Sequence, residues 1–205
     1  MDKTYGQRTK IIESLTNPKV KAVLFDFDGT IVDLPVDYKR MRKRLKCFFG
    51  KFGIKEEFVP LVQTIENILF KLKKTLSKIR LNEVRKEAYA IIDEEEIASL
   101  KYAKLIENAS FILKQVKQRR IKIAIVSRNG GVCIKKGIKQ FKLPKPDVII
   151  SRDDTKKLKP SPVQLVLAIR KLKIKSDETI MVGDSSHDKK AAQALKIPFI
   201  LMINK

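Results

Sequence analysis

The sequence predicts an α/β fold: an open parallel sheet interrupted by a helical insertion. Three observations predict it. Short apolar, β-branched runs recur at "KAVLF" (21–25), "IKIAIVS" (121–127), "DVIIS" (147–151), "TIMVGD" (179–184) and "PFILMI" (198–203). Helix-length segments with apolar residues at helical spacing separate the last four runs. No strand-like run occurs between Asp33 and about Lys104. Runs of four to eight apolar residues bounded by turn formers suit strands covered on both faces. Their alternation with helices implies right-handed crossovers in one open sheet. A chain of 205 residues is long enough for one core and a small inserted unit.

Taken in order, the first strand at 21–25 runs into Asp26 and Asp28. "DYKRMRKRLKCFFGKFG" (37–53) reads as a helix with Gly50 and Gly53 as stops. Residues 59–79 read as one long amphipathic helix, because Leu61, Ile65, Ile68, Leu69, Leu72, Leu76 and Ile79 recur at intervals of three and four. A further helix is expected from a cap at Asn82, and the segment 103–120 is expected as the helix feeding the second strand. After that strand come a helix over 131–141, the third strand, a helix over 161–173, the fourth strand, a helix over 185–196 and the last strand. Ser161 before Pro162 suits a helix start, a capping hydroxyl followed by a first-turn proline. The expected organisation is a core of 1–33 and 105–205, with residues 34–104 as a helical insertion.

Composition excludes several classes. A hydrophobic fraction of 43% is that of a globular protein. No apolar run approaches the roughly 18 residues needed to cross a bilayer. The start, "MDKTYGQRTK", has no apolar signal-peptide core, so a cytoplasmic setting is expected. Cys47 and Cys133 match no zinc or redox spacing and are expected to be reduced. The formal charge of +22 is uneven: residues 111–205 hold 23 Lys or Arg against seven Asp or Glu. Such a field draws phosphorylated metabolites, nucleic acid or acidic surfaces; a surface of solvated lysines accounts for it equally well.

The chemistry is read from the strand ends, because open parallel sheets bind ligands beyond the carboxyl ends of their strands. These ends are Asp26-Phe27-Asp28-Gly29-Thr30, Ser127-Arg128-Asn129-Gly130, and Gly183-Asp184-Ser185-Ser186-His187-Asp188, with Lys159 in "TKKLKPSP" between the third and fourth strands. If the topology holds, all four groups meet on one rim. Asp26 and Asp28, two residues apart in extended chain, point the same way. Four carboxylates, Asp26, Asp28, Asp184 and Asp188, gather at low cost only around a cation, and all-oxygen ligation suits Mg2+. A metal beside an Asp nucleophile is an arrangement for phosphoryl transfer.

In order, "DFDGT", "VSRNG", "LKPSP" and "GDSSHD" resemble the four motifs of the haloacid dehalogenase-like hydrolases, in the helical-cap group that looks phosphoglycolate phosphatase-like. The resemblance runs from about Lys21 to the end. It implies a Rossmann-like core with an inserted helical cap at 34–104, and a Mg2+-dependent phosphatase working through an aspartyl-phosphate on a small phosphorylated metabolite. By the same resemblance Asp26 is the nucleophile and Asp28 the general acid and base. Asp26, the Asp28 backbone carbonyl and Asp184 ligate the metal, while Asp188 binds it or orients Lys159. Ser127 holds the phosphoryl group and Lys159 offsets charge. Gly29 allows a tight turn and its N–H faces a phosphate oxygen, with Thr30 beside it. Arg128 departs from the usual hydroxyl–Asn pairing of the second motif; it is a candidate anion contact or a surface residue, and Asn129 a candidate donor.

Other residues read more plainly. His187 is expected as surface polarity, Cys133, Phe48 and Phe49 as packing, and the acidic run Asp93 to Glu96 as a solvated helix face. Lys156 and Lys157 rival Lys159, but Lys159-Pro160 fits the motif better. The basic run 39–46 is a solvated face or a lure for anionic substrate. Alternative functions are a β-phosphoglucomutase-type phosphomutase and a polynucleotide end phosphatase or nucleic-acid binder; the latter lacks a basic tail and an aromatic platform. Oligomeric state is left open.

Overall fold

The computed structural model describes residues 3–202, and they divide into two compact units. One comprises the chain up to Leu34 and from Tyr102 onward; the other is Pro35–Lys101. In chain order the first unit begins with α1 (Lys3–Ser14), β1 (Ala22–Phe25) and β2 (Val32–Asp33). The second unit holds α2 (Tyr38–Gly50), α3 (Leu61–Leu72) and α4 (Lys78–Ser99). The first unit resumes with β3 (Lys104–Leu105), α5 (Ala109–Gln118), β4 (Lys122–Val126), α6 (Gly131–Gln140) and β5 (Val148–Ile150). It ends with α7 (Val163–Leu172), β6 (Thr179–Gly183), α8 (Ser186–Gln193) and β7 (Phe199–Leu201).

Five strands form one parallel sheet in the order β5-β4-β1-β6-β7. β1 is central, with Phe25 opposite Ile125 on one side and Val182 on the other. Every residue of β1 is buried. Ala22, Leu24, Ala124, Val126 and Met181 form one face and pack with Leu165, Ala168 and Leu172 of α7 and Ala191 and Ala192 of α8. Val23, Phe25, Ile123 and Ile125 are buried too. They alternate with that set and so point to the opposite face, where α5 packs on β4. The sheet is thus covered on both sides, as its unbroken apolar runs require.

β2 and β3 form a short antiparallel pair, Val32 opposite Leu105 and Asp33 opposite Lys104. That pairing shortens the helix expected over 103–120: α5 starts at Ala109, after Asn108 takes a left-handed φ of 64°. α7 starts two residues later than expected. Pro162 occupies the cap position without a side-chain bond, and Ser161 instead donates its backbone N–H to Leu158 O (2.9 Å). α1 has no counterpart in the sequence reading. Position 203 of the expected last strand lies outside the described residues.

In the second unit the basic α2 is capped by Asp37, which accepts the Arg40 N–H at 2.8 Å. The single helix expected over 59–79 is broken at 73–77. Ser77, in extended conformation, accepts the Arg80 N–H (3.2 Å) and starts α4 five residues before the expected cap at Asn82. The period survives through Leu76, but a well-placed hydroxyl competes for the backbone and wins. Met41, Leu45, Phe49, Phe58, Ile65, Ile68, Leu69, Val84, Ala88 and Ile92 make the core of this unit. Phe48 and Phe49 pack edge-on at 4.9 Å, and Phe49 stacks on Phe58 at 5.5 Å.

The acidic run is not all solvated: Glu95 and Glu96 are buried. Glu95 accepts from Arg40 Nε (2.7 Å) and from Arg44 Nη1 (2.9 Å). Burial pushes its carboxyl up, but the two guanidinium groups outweigh this and hold it below its ordinary value. Part of the basic run of α2 is therefore spent on α4. Among the described residues, no helix is long and apolar enough to cross a membrane.

Candidate active site

β1 ends by placing Asp26 at the carboxyl edge of the sheet, where its N–H still donates to Val182 O (2.9 Å) as the last rung to β6. The chain then turns tightly. Ile31 and Val32 donate to Phe27 O (2.9 and 3.0 Å), and Gly29 donates to Val32 O (2.7 Å). Gly29 sits at φ +80°, and a Cβ there would lie 2.2 Å from Asp184 Oδ2. Only glycine permits this approach. The expectation that its N–H faces a phosphate is not what the turn displays, since Val32 O takes that N–H. Thr30, also expected at the phosphate, is fully buried, and its Oγ1 has no hydrogen-bond partner among the described residues.

Lys159 reaches into this edge. Its ammonium lies 2.8 Å from Asp26 Oδ1 and 2.6 Å from Asp188 Oδ1, and it donates to Val126 O at 2.7 Å. The residue is 2% exposed, whereas Lys156 and Lys157 are exposed. Asp188 is buried completely. Its second oxygen accepts from Ser185 Oγ (2.5 Å) and Ser185 N–H (3.2 Å), and the Asp188 N–H returns to Ser185 Oγ (3.3 Å). This reciprocal pairing is a capping box that starts α8. Gly183 gives it room, for a Cβ there would lie 2.6 Å from Asp188 Cγ.

Carboxylate oxygens of Asp26, Asp184 and Asp188 lie within 4.8 Å of one another. The Asp28 carboxylate stands apart from this trio and accepts the Leu34 N–H at 3.0 Å. Burial pushes Asp26 up to about 6; Lys159 holds it back and Asp188 adds to the rise. Burial raises Asp28 to about 7, the Leu34 N–H opposing it and Asp26 and Asp184 reinforcing it. Asp184 is likewise raised, by burial and then by Asp188. One buried ammonium does not offset this much negative charge. An all-oxygen donor set short of positive charge fits a hard divalent cation such as Mg2+.

At the end of β4, Ser127 is fully buried, and its N–H donates to Ile150 O (2.9 Å). Its hydroxyl donates to Asn129 Oδ1 (2.8 Å) and accepts the Asn129 N–H (3.2 Å). Arg128 is exposed. Its charge acts on His187, which burial and Arg128 hold below the ordinary 6.5. Two residues that motif reading missed support the site. Ser185 could have been found from its three-residue spacing to Asp188. Gln164 carries no such signal. It is wholly buried, donates to Ser127 O (2.8 Å) and Ser151 O (3.0 Å), and accepts the Lys159 N–H (3.1 Å).

Known proteins share this arrangement of chain. A pyrophosphatase PpaX from Halalkalibacterium halodurans is 32% identical over 180 residues, covering 83% of this chain and 77% of its own. CbbY from Rhodobacter sphaeroides, solved with phosphate, superposes with a TM-score of 0.64 at 20% identity, over 91% of this chain and 87% of its own. A predicted phosphoglycolate phosphatase from Haemophilus somnus gives a TM-score of 0.56 at 14% identity, over 89% and 85%. At these identities the two structures speak to the fold alone. The sequence pattern of the haloacid dehalogenase-like hydrolases matches residues 23–202. With three strand-end motifs and the Lys159 loop meeting on one parallel sheet and that match over most of its length, the chain belongs to the haloacid dehalogenase-like hydrolases.

Proposed function

We propose that this hydrolase is a Mg2+-dependent phosphatase that cleaves a small phosphomonoester through an aspartyl-phosphate on Asp26. The observation that carries the reading is the buried Lys159 ammonium, 2.8 Å from Asp26 and 2.6 Å from Asp188, beside Asp184 at the sheet edge. Asp26 and Asp184, with the Asp28 backbone carbonyl, would hold the metal; Asp188 has one oxygen on Lys159 and the other on Ser185. Bound Mg2+ supplies charge that offsets the carboxylates and the phosphoryl oxygens.

The chain's own residues do the rest. A carboxylate oxygen of Asp26 attacks phosphorus, and the bond to the leaving oxygen breaks. Asp28, whose burial keeps a proton available near neutrality, protonates that oxygen. Once the leaving group departs, Asp28 takes a proton from the water that attacks the aspartyl-phosphate, which releases phosphate and restores Asp26. Lys159 favours the ionised nucleophile against the cost of burial. The Ser127 hydroxyl turns from Asn129 to a phosphoryl oxygen, and exposed Arg128 meets an anionic leaving group. Helices of residues 35–101 act as the cap that selects it.

A second reading, hydrolysis of inorganic pyrophosphate, is favoured by the likeness to pyrophosphatase PpaX. One assay tests both: phosphate release with Mg2+ from phosphoglycolate, sugar phosphates, nucleotides and pyrophosphate, for wild type and Asp26→Asn. Release from a monoester, lowered at least about 100-fold by Asp26→Asn, is the expected result. A marked preference for pyrophosphate selects the second reading. No release from any compound, or an equally active variant, overturns the aspartyl-phosphate. Activity that depends on a bisphosphate activator would mark a phosphomutase instead.

A further inference from the structure

Gln164 lies in the first turn of α7 with no solvent exposure, and none of the chemistry above uses it. A primary amide offers two N–H donors and one carbonyl oxygen. Both donor bonds and the acceptor bond are made here, each to a backbone group: Ser127 O, Ser151 O and Lys159 N–H. Those three groups belong to the ends of β4 and β5 and to the loop before α7.

The position explains the need. The β4–β5 ladder runs out at Ser127 N–H to Ile150 O (2.9 Å). Beyond it the Arg152 N–H skips Ser127 and donates to Asn129 O (3.0 Å), so Ser127 O has no backbone donor among the described residues, and Ser151 O accepts only the long Asp154 N–H bond (3.4 Å) of its own 3-10 turn. Buried carbonyls without donors cost about 1–3 kcal/mol each. The Gln164 amide stands in as the missing rung and also grips Lys159 at its backbone. Lys159 is then tied at both ends: its N–H to Gln164, its ammonium to Val126 O, Asp26 and Asp188.

We propose that Gln164 is a positioning residue for this site, its amide joining the strand ends at Ser127 and Ser151 to the Lys159 backbone so that the ammonium stays between Asp26 and Asp188. The catalytic consequence rests on the phosphatase reading; the placement of Lys159 does not. Leucine at 164 keeps the volume and removes all three bonds. Glutamate keeps an acceptor for the Lys159 N–H but, when ionised, sets a charge against two carbonyls.

The test compares wild type, Gln164→Leu, Gln164→Glu and Leu165→Ala. Leu165 is a buried core neighbour on the same helix whose truncation lowers stability without touching the loop. The first readout is the rate at which a pulse of acetic anhydride acetylates Lys159, followed by peptide mass spectrometry, which needs no activity. Labelling of Lys159 is expected to rise at least about tenfold in Gln164→Leu and to stay near wild type in Leu165→Ala, because a misplaced side chain is released while a weakened core is not. The second is kinetics with Mg2+ on the best substrate found. In Gln164→Leu kcat is expected to fall about 10- to 100-fold with KM within about threefold. Gln164→Glu is expected to lose activity more steeply than wild type as pH rises. Lys159 remaining as protected in Gln164→Leu as in Leu165→Ala overturns the proposal whatever the kinetics show, and labelling of Gln164→Glu decides it if the leucine variant does not fold. Phosphate release absent in wild type would sink the phosphatase reading while the labelling result still stands.

Discussion

Replacing Gly29 by alanine separates the cost of a backbone conformation from the cost of a displaced carboxylate. At φ +80° an L-residue pays roughly 1–2 kcal/mol. For a chain of this size each kcal/mol is worth about 2–4 °C, so the fold should lose about 2–8 °C in Tm. The new methyl carbon would also sit 2.2 Å from Asp184 Oδ2 and 2.5 Å from its Cγ. Ordinary contact begins near 3.4 Å, so the carboxylate must retreat by about 1 Å, which can cost about 100-fold in rate. Gly53→Ala is the control: φ is +72°, with nothing within 4 Å of the added carbon. Thermal melts and Mg2+ titrations of phosphate release measure both variants. The expected result is a similar Tm loss in each, with half-maximal activity shifted to higher Mg2+ and about 100-fold lower activity in Gly29→Ala alone. Equal activity in the two variants would refute the role given to the Gly29–Asp184 approach.

Lys159→Met should destabilise the metal-free protein by about 3–5 kcal/mol, since it strands the buried carboxylates it pairs. Mg2+ should then raise Tm more than in wild type, and Lys156→Met should change neither quantity. In EDTA, stability should fall as pH rises from about 4 to about 7. Folded Asp26 and Asp28 hold protons up to about 6 and about 7, which the unfolded chain releases near 3.8, and above that window the penalty is constant. Melts across pH check the slope, which Mg2+ should flatten. Glu95→Gln should cost about 1 kcal/mol at neutral pH, discounted because Arg40 and Arg44 are more than a third exposed. Glu95 is held below its ordinary 4.5, so its contribution is present above that pH and lost as pH falls through the folded value. The gap between wild type and Glu95→Gln should therefore close in acid, as denaturant titrations at pH 7 and pH 3 would show.

The strands and the site acids were legible because both leave local marks. An apolar run that ends on Asp26 or Asp184 departs from its surroundings within one or two residues, and Lys159-Pro160 does the same. What escaped was decided by distant partners. Glu95 looks solvated beside Glu94 and Glu96 until Arg40 and Arg44 arrive from another helix. The break at 73–77 hides under an apolar period that continues unbroken, and only Ser77 betrays it. Gln164 reads as an ordinary helix residue, because its partners are backbone groups up to 37 positions away. The Gly29 N–H, expected at a phosphate, is used by the turn itself to close on Val32.

Asp188 starts α8 with one oxygen and pairs with Lys159 through the other. The two duties cannot be inherited separately. A lineage that exchanged this aspartate to retune the lysine would at the same stroke lose half of the capping box, leaving Ser185 alone to start a helix whose alanines help close the core. Drift toward an inactive but well-folded relative is therefore obstructed at this position, whereas exposed Asp184, which carries no helix, leaves that route open. Descendants of this chain that abandon its chemistry should show the loss first at Asp184, with Asp188 still in place as scaffolding.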